Sequence, residues 1–73
     1  MSENMGMREL REAANLTQAE AAEKIGVHQS TISWWETGRV FPHFKRLRRI
    51  AEVYHCSVPD LLGIRAEAQN IAL

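Results

Sequence analysis

His28, Gln29, Ser30, Ser33 and Trp34 fall on or beside one side of a short helical pattern whose other side is marked by Val27, Ile32 and Trp35. The first set is rich in hydrogen-bonding groups and carries no formal charge. A helix face that only needs hydration usually presents Lys and Glu, so a Gln/Ser row points to recognition through donors and acceptors. Proton transfer and metal chemistry find less support. His28, His43 and His55 are spaced 15 and 12 residues apart, which matches no local zinc pattern, and Cys56 is the single cysteine. Carboxylates are scattered over helix surfaces, no glycine-rich phosphate loop is present, and no nucleophile has a base at a meaningful spacing. No catalytic residue, metal ligand or cofactor is assigned, and an enzyme is not expected.

The elements that position this row can be read from their end signals. Thr17 with Glu20 three residues on has the spacing of a capping box, so a helix begins near Gln18. Ala22 and Ile25 share one face, and Gly26 can adopt the positive φ that stops the helix sharply. The next helix runs from about Gln29 to Thr37, with Gly38 as its stop. Upstream, Met7, Leu10 and Ala14 are spaced for a helix over about Asn4 to Ala14. Downstream, Val40, Phe41 and Pro42 form a loop. A fourth helix over about His43 to Tyr54 is expected to bury Phe44, Leu47, Ile50, Ala51 and Tyr54. Ser57 caps a fifth, with Pro59 tolerated in its first turn and an end near Gly63.

The window TQAEAAEKIGVHQSTISWWETG, residues 17 to 38, is similar to the helix-turn-helix of the lambdoid phage repressor and Cro family, also called the XRE family. That pattern runs roughly T/S-Q-x-x-L-A-x-x-x-G-V-S-x-x-x-I-S-x-W/I-E-x-G. Gln18, Ala22, Gly26, Val27, Ile32, Ser33, Trp35, Glu36 and Gly38 match it in register. The likeness extends through MRELREAANL at 7 to 16 and PHFKRLRRIAEVYHCSVPDLLG at 42 to 63. It implies an all-α, compact five-helix bundle over residues 1–63, lambda repressor-like. The tail 64–73 is left as a sixth helix, a dimer contact or a frayed end.

The resemblance implies a function: sequence-specific binding of double-stranded DNA as a transcriptional regulator, by a homodimer on a palindromic operator. Gln29 is the best base reader, because its amide can bond adenine bidentately in the major groove. Ser30, Ser33, His28 and Trp34 are further base-reading candidates. Gln18 resembles a phosphate-clamping glutamine at a helix N-terminus. Thr31, Arg39, Lys45 and Arg46 would supply other backbone contacts. Arg11 and Glu36 match a structural ion pair of the family. Leu61, Leu62 and Ile64 are assigned to the dimer surface.

Composition agrees. At 73 residues with 45% hydrophobic content, the chain makes one domain with one small core. No apolar run is long enough to span a bilayer, and no secretory signal pattern is present, so a cytoplasmic protein without membrane contact is expected. Nine basic and nine acidic side chains give zero net charge, yet Arg39, Lys45, Arg46, Arg48 and Arg49 lie between Glu36 and Glu52 with no acid among them. Arg48 and Arg49 sit a turn beyond Lys45 and point elsewhere on the helix, so only part of this zone can meet phosphates.

Three departures from the family pattern bear on function. Ala21 replaces a usual leucine, leaving volume that Trp34 or Trp35 must fill. Trp34 stands where a polar residue is common; it can pack on a thymine methyl, lie along the sugar backbone or fold back. With Val40 and Phe41 it can form an exposed apolar patch. That patch supports an alternative: a protein-interaction module on the same fold, such as an antitoxin or a regulator's partner, gripping a protein through Trp34 and Phe41.

Overall fold

A computed structural model describes residues 6–63. These residues form five helices and no strand: α1 (Met7–Ala13), α2 (Gln18–Ile25), α3 (Gln29–Thr37), α4 (Phe44–Tyr54) and α5 (Val58–Leu61). The fold is all-α. α2 packs chiefly on α3 and α4, α1 bridges α3 and α4, and α5 rests on α4. Burial follows the helical repeat: Met7 and Leu10, Ala21, Ala22 and Ile25, Ile32 and Trp35, then Leu47, Ile50, Ala51 and Tyr54 converge in one core. Ala21 is fully buried there alongside Trp35, whereas Trp34 is outside. The two tryptophans thus divide: Trp35 takes up core volume and Trp34 stays at the surface.

Helix ends are set by local chemistry. Thr17 Oγ accepts the Glu20 N–H while the Glu20 carboxylate accepts the Thr17 N–H, so each satisfies a donor the helix leaves open. Gly26 closes α2 at φ 90°. His55 closes α4 at φ 56°, a left-handed conformation that is uncommon for a residue with a Cβ. Ser57 and Asp60 form a second reciprocal capping box at α5.

Three expectations need correction. α1 begins at Met7, not near Asn4, because Gly6 is extended at φ −75°, ψ 173° and stands as its N-cap; residues 1–5 lie outside the described set. Phe44, expected in the core, is 71% exposed. It occupies the first turn of α4, and the buried stripe of that helix begins only at Leu47. Leu61, expected at a dimer surface, is 6% exposed and belongs to the chain's own core. Val58 and Leu61 are three apart on the face of α5 that meets α4, which leaves Leu62 as the open side chain of that end. Ile64 and the rest of the tail lie outside the described residues.

Candidate nucleic-acid interface

The α2–α3 pair is fixed from behind. Ile32 and Trp35 hold the inner face of α3 in the core, and Val27 N–H donates to Ala22 O at 3.0 Å across the turn. The outer face is then forced outward. Gln29 and Ser30 are exposed, Ser33 and Thr31 are half-buried, and Trp34 is 42% exposed. His28 is the N-cap of α3, but its imidazole makes no capping bond and remains at the surface. His28, Gln29, Ser30 and Trp34 are therefore all accessible along one edge, with Ser33 partly so.

The far end of α3 is tied down by charge. Arg11 Nε donates to Glu36 Oε2 at 2.5 Å, its Nη2 donates to Glu36 Oε1 at 3.2 Å, and its Nη1 donates to Leu16 O at 2.7 Å. The two side chains are almost fully buried. The Glu36 hydrogen bond raises the Arg11 pKa above its ordinary value against the opposing effect of burial. Gln18 Nε2 also donates to Glu36 Oε1, at 3.0 Å. The side chain assigned to phosphate is thus engaged with the ion pair, which joins the start of α2 to the end of α3. Nothing in the sequence pattern by itself signals that third partner.

Cations line the exit from α3. Arg39, Lys45 and Arg46 are exposed, and among the described residues none of them forms an ion pair. Arg49 turns away: its guanidinium donates to Lys24 O at 3.0 Å and lies 3.7 Å from Glu52. The loop between α3 and α4 is folded back on the helix, since Trp34 O accepts from Arg39 N–H at 2.9 Å and Val40 N–H at 3.3 Å. At the start of α4, His43 Nδ1 accepts the Lys45 N–H at 3.2 Å, and its ring stacks on Phe44 with centroids 4.7 Å apart. α3 thus presents a hydrogen-bonding row, and the segment that follows it presents three exposed cations without an ion pair among the described residues, together with the stacked His43 and Phe44.

Other chemistry is sparse in these residues. Among the described residues no three His, Cys, Asp or Glu side chains converge as a metal site would require, and no helix is long and apolar enough to cross a membrane. Burial raises the Cys56 thiol pKa, which disfavours the reactive thiolate. Tyr54, in the core, is missed by sequence reasoning as a polar group: its hydroxyl is buried without a hydrogen-bond partner among the described residues.

Comparison with known proteins gives a consistent picture. The profile of the helix-turn-helix domain family matches residues 7–62. The chain is 34% identical over 63 residues to the HTH-type transcriptional activator BcrR of Enterococcus faecalis, covering 86% of this chain and 31% of that protein. It is 36% identical over 55 residues to an uncharacterized HTH-type transcriptional regulator of Archaeoglobus fulgidus, covering 75% of this chain and 79% of the relative. It is 33% identical over 60 residues to the cryptic phage CTXphi transcriptional repressor RstR of Vibrio cholerae, covering 82% of this chain and 54% of RstR. The chain therefore spans about a third of BcrR and about half of RstR. No solved structure gives a significant match.

Proposed function

Because this chain belongs to the helix-turn-helix family of DNA-binding transcriptional regulators, we propose that it reads a specific duplex sequence by placing α3 in the major groove. The observation that carries this reading is the outward, uncharged edge of α3 beside three exposed cations that have no carboxylate partner among the described residues. Gln29 is the principal base reader, with His28, Ser30, Ser33 and Trp34 as its neighbours. Arg39, Lys45, Arg46 and Thr31 anchor phosphates. Gln18 contributes its backbone N–H and the remaining amide donor from the start of α2.

Two copies bind a palindromic operator roughly one DNA turn apart. The exposed Leu62 is the dimer contact among the described residues, whereas Leu61 serves the core. A single subunit offers few phosphate contacts, so pairing supplies affinity that one copy lacks. Regulation is by occupancy, without catalysis or cofactor, in the cytoplasm. Affinity for duplex DNA measured against salt tests this: a steep fall reflects counterion release, whereas no binding even in dilute salt would refute it.

A second reading is favoured by the exposure of Trp34, Val40 and Phe41, at 42%, 44% and 59%. In that reading the same fold grips a partner protein through this patch. Binding that persists unchanged through high salt would support it over operator recognition.

A further inference from the structure

Phe41 and Phe44 are the most exposed of the large apolar side chains among the described residues, and no role in the operator reading accounts for them. Neither is placed by a loose segment. The loop carrying Phe41 is fastened to Trp34 O, and the Thr37 hydroxyl donates to Ser33 O at 3.1 Å just before it. Phe44 starts α4, where the His43 ring both caps the helix and stacks on it. Phe41 and Phe44, three residues apart in sequence, are therefore each held at the surface as an apolar ledge. Arg39, Lys45 and Arg46 surround it in sequence, with no acidic residue between Glu36 and Glu52.

We propose that the Phe41/Phe44 ledge packs on deoxyribose faces of the duplex backbone at the edge of the half-site, while Arg39, Lys45 and Arg46 bind the phosphates on either side. This rests on the DNA-binding reading above and adds a contact that is apolar and indifferent to sequence. A sugar–phosphate strand offers apolar sugar faces between anionic phosphates, and RVFPHFKR presents an apolar block between Arg39 on one side and Lys45 and Arg46 on the other. Charge favours DNA over a neutral protein partner: Arg39, Lys45 and Arg46 flank the two rings, are exposed, and form no ion pair among the described residues, so a polyanion can engage all three.

The test uses the full chain and a fluorescent mixed-sequence duplex, since the contact needs no operator. Phe44→Ala, Phe41→Ala and the double variant should bind roughly three- to tenfold more weakly at every salt concentration, because apolar burial is lost. The slope of log affinity against log salt should stay as in the parent, whereas Lys45→Ala should flatten it by about one unit. Phe44→Leu should keep most of the affinity. Thermal melting should remain near the parent's, as both side chains are exposed. Parent-like DNA affinity in the double variant would overturn the ledge. Loss of self-association with per-subunit DNA affinity intact would overturn it in favour of a second copy, and loss of capture of a protein partner alone would do so in favour of that partner. A parent chain that ignores the duplex would instead refute the DNA reading itself.

Discussion

Arg11 and Glu36 lie twenty-five residues apart and meet side-on, through bonds of 2.5 and 3.2 Å. The pair ties α1 to the end of α3, and Gln18 adds α2 through the same carboxylate. A buried pair of this kind contributes more to the angle between helices than to net stability, but removing one member strands the other. Arg11→Met should destabilise the domain by about 3 to 5 kcal/mol. Urea unfolding followed by circular dichroism measures this. A change below about 1 kcal/mol would mean that water already reaches Glu36.

Tyr54 gives the opposite expectation. Its hydroxyl is buried with no partner among the described residues, so Tyr54→Phe should leave stability unchanged or raise it by about 1 kcal/mol, as a desolvated donor is removed. Burial also pushes the phenol pKa up to about 12. The folded state therefore favours the neutral form, and that contribution is complete below the unfolded value near 10. It is lost as pH rises from about 10 towards 12. Melting temperatures over this range should fall in the parent and less so in Tyr54→Phe.

The end of α4 holds a correctable strain. His55 adopts φ 56°, where a Cβ is unfavourable and glycine is free. His55→Gly should stabilise the domain by roughly 0.5 to 1 kcal/mol, offset in part by the greater freedom of glycine in the unfolded chain. A loss of stability would show that the imidazole contributes more than the backbone conformation costs.

At α5, hydrogen bonds from Ser57 hold the Asp60 carboxyl below its ordinary pKa. A carboxylate depressed on folding stabilises above its unfolded pKa and ceases to do so as pH falls through the folded one. Ser57→Ala should lose about 1 kcal/mol from the cap, because Ser57 Oγ no longer accepts the Asp60 N–H. The Ser57 backbone N–H still donates to the Asp60 carboxylate in the variant, so parent and variant should both lose stability as acid protonates Asp60, with most of the difference between them retained in thermal melts at a series of acidic pH values.

Much of this was legible in the sequence because end signals and apolar repeat agreed. Thr17, Gly26, Gly38 and Ser57 each punctuate the chain through side-chain or backbone chemistry that acts locally. Phe44 shows where such reading stops. Its spacing from Leu47 and Ala51 puts it on the buried stripe, but burial also needs a neighbour, and periodicity does not say where neighbouring helices end. Leu61 failed in the opposite sense: an apolar side chain on a helix of four residues looks spare until α4 is seen beneath it. The Gln18 bond to Glu36 was hidden because a polar residue at a helix start serves equally for a ligand or an internal carboxylate.

Reader and anchor should separate by mutation. Gln29→Ala removes a bidentate donor and acceptor and should relax preference at one operator position by about 1 to 3 kcal/mol. Lys45→Ala should weaken all duplexes alike. Equal loss on every sequence for both variants would contradict this division of roles.

The most direct measurement is selection of duplexes from a random pool by the purified chain, followed by sequencing of what is retained. Recovery of a two-fold sequence with half-sites about one DNA turn apart is expected, with its base preference shifted in Gln29→Ala. Retention of no sequence above the starting pool, in dilute salt and at high protein concentration, would contradict operator recognition by α3.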